Sequence, residues 1–198
     1  MVVFGITGGS GSGKTSVSKM LEKLGVHIID TDVIAHEIVE PNGECLNELV
    51  DYFGDSILND DKTLNRKKLA SIAFSDKQKT VALSNITHKY IRAEVVKDIN
   101  TTDAELVGID GAVIIGSNVE PLCEFIVSVI ADKQSRITRI KTRDNITDEQ
   151  AIQRINAQND DEFYKENSMY IIYNNGDIAQ LESDVVVLFN KIKGNSFE

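Results

Sequence analysis

The feature that most constrains the fold is a glycine-rich stretch near the start of the chain, Gly8-Gly9-Ser10-Gly11-Ser12-Gly13-Lys14-Thr15. It satisfies the pattern G-x-x-x-x-G-K-[ST], and its surroundings give it structural meaning. The residues before it, 2–7, are a short apolar run of the kind that forms a central parallel strand. After it, Val17, Met20, Leu21 and Leu24 recur at i, i+3, i+4 and i+7, and Gly25 reads as the stop of that helix. Residues 26–30 then read as a second strand. Strand, loop, helix, strand is the unit from which doubly wound α/β sheets are built.

The residue types in the loop suit a phosphate chain. Glycines let the backbone curl so that successive N–H groups point at phosphate oxygens, and the following helix adds its positive end. Gly8, Gly9, Gly11, Ser12, Gly13, Lys14, Thr15 and Ser16 are therefore the expected nucleotide-binding residues. Lys14 is a point charge for the β- and γ-phosphates, and Thr15 offers a hydroxyl to Mg²⁺.

Charge balance limits the partners. Thirty-one acidic and 21 basic side chains leave a formal net charge of -10. A dominant nucleic-acid surface is not expected, because phosphate backbones need a basic footprint. An acidic chain can still hold a phosphorylated small molecule if it gathers its positive charge in one place. Four of the 21 basic residues, Arg136, Arg139, Lys141 and Arg143, do fall within eight positions. The three arginines are spaced i, i+3, i+7 and share a helix face, which fits either a cationic lid over a transferring phosphate or a solvated helix face. Two isolated cysteines, Cys45 and Cys123, suit a reducing cytoplasm, and no apolar run is long enough for a membrane span.

Along the rest of the chain, residues 42–100 read as a helical insertion with no strand of its own, ending in a long helix from about 77 to 100. Strands are expected at 105–110, 125–131 and 169–173, and helices at 133–144, 148–158 and 178–192. Thr147 and Gln150 form a capping box before the second of these helices. Three acids stand at or just after strand ends in the way that ligand-facing acids do in open parallel sheets: Asp110 and the pair Asp30/Asp32. Asp32 reads equally as a base or Mg²⁺-shell acid and as part of a helix cap, a role open also to Asp30 and Thr31.

The ordered set of short motifs resembles the dephospho-coenzyme A kinases. It runs from Ile6-Thr7 through the glycine loop to Ile29-Asp30-Thr31-Asp32 and Ala35-His36-Glu37-Ile38-Val39. It continues through Leu64-Asn65-Arg66-Lys67-Lys68-Leu69, Phe74-Ser75-Asp76 and Ile86-Thr87-His88 with Ile91-Arg92. It closes with Arg139 and Arg143-Asp144, Arg154-Ile155-Asn156-Ala157-Gln158 and Asn174-Asn175-Gly176. The resemblance implies a three-layer P-loop kinase fold on a five-stranded parallel sheet. It implies one kinase domain over 1–198, with an acceptor-binding insertion at 42–100 and a lid at 136–166. It implies ATP and Mg²⁺ and dephospho-coenzyme A as the acceptor; the oligomeric state is left open, a monomer being favoured. Lys14, Asp32, Arg139 and Arg143 take catalytic roles, with Thr15 and Asp32 toward the metal. Asn174 lies by the adenine, and Asp32, His88 and Arg92 lie on the acceptor side. The sequence departs from the family at Ala112 and Gly116, where proline and an acid are usual, and at Lys89 and Met169. A nucleoside or nucleotide kinase, or an ATP-binding regulatory protein without turnover, are the alternative readings.

Overall fold

The first strand, β1 (Val2–Thr7), is buried along nearly its whole length because it is paired on both edges and covered on both faces. This computed structural model describes residues 1–194. After β1 come α1 (Lys14–Lys23), β2 (His27–Asp30) and α2 (Thr31–Glu37). Then follow α3 (Glu44–Phe53), α4 (Arg66–Ala73) and α5 (Lys77–Thr101). The chain returns through β3 (Leu106–Asp110), β4 (Phe125–Ile130), α6 (Lys133–Asp144) and α7 (Asp148–Asn156). It ends in α8 (Asp161–Glu166), β5 (Tyr170–Tyr173) and α9 (Ile178–Gly194).

The five strands form one parallel sheet in the order β2-β3-β1-β4-β5. The β1 register places Gly5 opposite Ile109 of β3 and Ile126 of β4, so β3 ends beside the end of β1 while β4 runs on past it to Ile130. On one face, Phe4 and Ile6 pack with Val17 and Leu21 of α1 and Leu181, Val185 and Leu188 of α9. The rings of Phe4 and Phe125 stack at 5.4 Å between centroids. On the other face, Ile114 and Ile126 fill the space beside Gly5. This alternation is the period-2 pattern of a strand in a three-layer α/β molecule.

The chain divides into two units: residues 1–29 with the described residues from 102 onward, and residues 30–101. The second unit is helical and begins ahead of the expected position 42, so it takes in α2. Its core is built on Val39, Cys45, Leu49, Ile57, Leu69 and Ile86. A lone bridge between Leu58 and Leu64 interrupts the helices there. Lys89 donates to Glu48 at 2.7 Å, as does the Tyr90 hydroxyl, so the departure at Lys89 ties α5 to α3.

The expected helices at 133–144 and 178–192 fall on α6 and α9. Helix α7 stops at Asn156, and a further short helix, α8, follows it. Asp160 starts α8 by accepting from Phe163 N–H at 2.9 Å. Six residues with only Phe163 and Tyr164 apolar carry no helical period, so only the cap could announce this helix. Among the described residues no helix is long and apolar enough to cross a membrane.

Leu21 is fully buried where α1 meets the sheet and α9. Leu21→Ala is expected to cost about 2–5 kcal/mol in urea unfolding, from lost burial and the cavity left behind. A loss below ~1 kcal/mol would contradict this packing.

Candidate active site

The glycine loop leaves β1 at Thr7 and runs into α1 at Lys14. Gly13, the residue ahead of α1, provides no side-chain cap, and the first turn holds no acid. The positive end of a ten-residue helix is therefore met by no side-chain cap and no acid, although Ser16 N–H already donates to Gly13 C=O at 2.9 Å. Inside the loop, Ser12 N–H donates to Gly9 C=O at 3.0 Å, which sets its curl. Ser12 Oγ is buried and has no hydrogen-bond partner. A buried orphan hydroxyl, an uncapped helix and a nearby lysine form a donor set suited to phosphate oxygens.

The loop is held from outside by two arginines of α6. Arg136, only 5% exposed, donates through Nε to Ser10 C=O at 2.9 Å. Its guanidinium lies so close to Gly9 that a Cβ there would sit 2.9 Å from Arg136 Cζ. Arg139 donates through Nη1 to the carbonyls of Gly11 (3.2 Å) and Ser12 (3.3 Å). Its Nη2 donates to Asn174 C=O at 3.0 Å. The buried Asn174 amide donates in turn to Ser12 C=O at 2.8 Å. Asn174 is placed by β5, whose end brings it to the loop because Asn174 N–H donates to Ile130 C=O at 2.8 Å.

The structure thus brings together Gly8 to Ser16, Arg139 and Asn174. It does not bring Arg143 to them. Arg143 lies about 10 Å further along α6 than Arg136 by helical rise. There it donates to the neighbouring Asp144, through Nε at 2.7 Å and Nη2 at 2.8 Å. Arg154 of α7 pairs with the same carboxylate. The i, i+3, i+7 face therefore splits: its first two members serve the loop, and the third braces the α6–α7 corner through the nearest acid.

Lys14 forms an ion pair with Asp110 at the end of β3, both partners being largely buried. Among the described residues no group of three His, Cys, Asp or Glu could hold a metal by itself. A divalent ion here would rely on one hydroxyl, one acid and the phosphates of its nucleotide, which is the usual habit of Mg²⁺. Thr15 lies exposed at the start of α1.

Asp32, His88 and Arg92 belong to the second unit. The cap of α2 is Asp30, whose carboxylate accepts from Asp32 N–H at 2.8 Å and Val33 N–H at 3.1 Å. That resolves the alternatives for this segment: Asp30 is the cap, and the exposed Asp32 carboxylate is left for other work. His88 and Arg92 stand one helical turn apart on α5, which packs against α2.

Comparison with known proteins bears on this geometry directly. The family model described as dephospho-CoA kinase matches residues 2–180. A dephospho-CoA kinase from Lactobacillus johnsonii is 34% identical over 191 residues, covering 95% of this chain and 96% of that protein. This chain belongs to the dephospho-CoA kinase family. A dephospho-CoA kinase structure from Campylobacter jejuni superposes with TM-score 0.69 at 27% identity, covering 98% of each chain. A Thermus thermophilus structure superposes with TM-score 0.84 at 25% identity, covering 96% of this chain and 97% of that one. The P-loop kinase fold expected from the motifs is the fold observed.

Against the family pattern, Gly116 has a physical reason. It stands at φ +78°, a conformation that glycine takes without strain, and its N–H donates to Glu120 at 2.5 Å. An acid is thus still held beside position 116, from four residues further on. The sequence pattern gives no separate role to Arg136 and none to Gln158, whose side chain accepts from Ser10 N–H at 2.7 Å. Arg136 was visible in the basic cluster, but nothing in a linear pattern says that an arginine will be buried beneath a loop.

Two outcomes follow. Gly9→Ala puts a methyl against the fixed Arg136 guanidinium, and is expected to weaken nucleotide binding about tenfold with the fold retained; unchanged affinity in calorimetry would contradict the close approach. The hydrogen bond from Arg143, with that from Arg154, holds the Asp144 carboxyl down at about 2. An acid held below its ordinary value stabilises the folded state above that value and ceases to as pH falls through about 2. The stability difference between the parent chain and Asp144→Asn is therefore expected to shrink as pH is lowered from about 5 to about 2. A difference independent of pH would contradict the pairing.

Proposed function

We propose that this chain transfers the γ-phosphate of ATP to the 3′-hydroxyl of the ribose of dephospho-coenzyme A, giving coenzyme A and ADP, the last step of coenzyme A synthesis. The observation that carries the reading is the pre-shaped phosphate loop, held through Ser10, Gly11 and Ser12 carbonyls by Arg136 and Arg139. It lies in a chain matched by the family model over residues 2–180.

The proposed roles follow from the chemistry of phosphoryl transfer, in which charge spreads over the equatorial oxygens of a loose transition state. Gly8 to Ser16 are the proposed phosphate-binding run, using those of its N–H groups that no loop contact engages, the Ser10, Ser12 and Ser16 N–H groups being bonded to Gln158, Gly9 and Gly13. Lys14 leaves Asp110 to neutralise the β- and γ-phosphates. Thr15 and Asp32 are the proposed protein ligands of Mg²⁺, which supplies further neutralisation when bound with the nucleotide. Asp32 is the proposed base that orients or deprotonates the acceptor hydroxyl. Its freedom from the α2 cap supports that role. His88 and Arg92 are proposed to bind the acceptor, and Asn174 to lie by the adenine. Residues 42–100 are the proposed acceptor-binding region and 136–166 the proposed lid. In that lid, Arg139 stabilises the transferring phosphate. Arg143 joins it on release from Asp144. Both cysteines are free thiols, which supports a reducing cytoplasm. Burial pushes the Cys45 thiol up to about 11 and the Cys123 thiol up to about 12, so neither is a nucleophile at neutral pH. We place no nucleic acid or membrane among the partners, and propose that the enzyme acts as a monomer.

The test is ADP release on adding dephospho-coenzyme A. Turnover is expected to depend on that acceptor and to fall at least about 100-fold in Lys14→Ala; release no faster than the acceptor-free background, or a preference for a nucleoside monophosphate, would overturn the reading. Arg139→Ala is expected to lower kcat/KM about 100-fold and Lys193→Ala to leave it within about twofold. Equal effects would remove Arg139 from the machinery. Arg143→Ala is expected to lower turnover too, and unaltered kcat would confine that residue to bracing Asp144.

A further inference from the structure

Both polar groups of the Ser10 peptide unit region are held by side chains from beyond the sheet. Ser10 N–H donates to Gln158 Oε1 at 2.7 Å, and Ser10 C=O accepts from Arg136 Nε at 2.9 Å. Arg136 Nη2 also donates to Gln158 Oε1, at 3.4 Å, and Arg136 Nη1 pairs with Asp161 at 3.5 Å. Two donors converge on one oxygen, which fixes that oxygen as the carbonyl end of the amide, because an NH₂ group there would face donors.

Gln158 is itself well anchored. It sits between the end of α7 and the start of α8, its N–H donating to Ile155 C=O at 3.2 Å and the next helix capped by Asp160. It also lines a cleft of about 200 Å³ with Thr7, Ala112, Val113 and Tyr164. Gln158 is therefore the point where this cleft meets the phosphate loop.

We infer that Gln158 is a positioning residue of this kinase: its side-chain carbonyl fixes the Ser10 N–H, and with Arg136 keeps the phosphate loop curved for nucleotide before nucleotide arrives. The inference rests on the function proposed above. A free Ser10 peptide would sample other orientations, and the nucleotide would then have to order it on binding. The pin removes that cost from ATP binding. It does not touch the transferring phosphate, so its effect falls on affinity and not on the chemical step.

The experiment compares Gln158→Met, which keeps length and bulk but loses the acceptor, with Gln158→Glu, which keeps an acceptor oxygen and faces the Arg136 guanidinium. ATP affinity is measured by calorimetry without acceptor, then KM for ATP and kcat with it, and Ser10 amide exchange by NMR. Gln158→Met is expected to weaken ATP binding about tenfold, to raise KM for ATP by the same factor, and to leave kcat within about twofold. Ser10 amide exchange is expected to speed up in the same variant. Gln158→Glu is expected to recover affinity to within about threefold of the parent, with thermal midpoints of all three chains within about 2 °C. Parental affinity in Gln158→Met, a loss in kcat alone, or no recovery in Gln158→Glu would each overturn the inference, as would a common drop in thermal midpoint that accounts for the loss. If the parent binds no ATP, the function proposed above falls and the inference falls with it. If it binds ATP without turning over dephospho-coenzyme A, the acceptor falls and the pin is still judged on ATP affinity alone.

Discussion

The site depends on one buried cation. Arg136 lies beneath the phosphate loop with 5% of its surface exposed, a costly place for a guanidinium unless its donors are met. They are met by the Ser10 carbonyl, by Gln158 and by Asp161. The arginine thereby joins three segments distant in sequence: the loop after β1, helix α6, and the connection from α7 into α8. Removing Arg136 itself would leave all three without their common partner, so these segments are expected to part together in its absence. Arg139 repeats the arrangement one turn on, meeting the Gly11 and Ser12 carbonyls and Asn174.

This framework gives the loop a function before any ligand is present. The arginines take up loop carbonyls, so the inner side of the curl is left richer in N–H donors. The uncapped start of α1 and the unpartnered Ser12 hydroxyl point the same way. Lys14 meanwhile is paired with Asp110, so its ammonium is not buried without a partner. A net charge of -10 is compatible with all of this, because the attraction for phosphate is local and comes largely from backbone dipoles that a charge count does not see.

Much of the fold was legible in the sequence for physical reasons. Buried parallel strands leave continuous apolar runs, as β1 and β4 do, and amphipathic helices such as α1 leave their period. The loop was legible because phosphate chemistry demands particular residue types at fixed spacing. What stayed hidden was set by tertiary contact. Helix α8 has too few residues for a period. The Arg143–Asp144 pair won over a common arginine face because the acid was adjacent. The use of Asp30 as the α2 cap was one of several allowed choices, and only backbone geometry selects it. Gln158 stands in a motif shared with the family, but nothing in that motif says which group its side chain meets until a loop from 148 positions away is folded against it.

The central claim is that the phosphate loop is shaped by Arg136, Arg139 and Gln158 ahead of nucleotide binding. A crystal structure with an ATP analogue, Mg²⁺ and dephospho-coenzyme A tests it most directly. The account predicts the triphosphate inside the curl of Gly8 to Thr15, with the Arg136–Ser10 and Gln158–Ser10 contacts kept and Lys14 moved from Asp110 to the phosphates. A loop rebuilt around the nucleotide, with Ser10 released from both side chains, would contradict it.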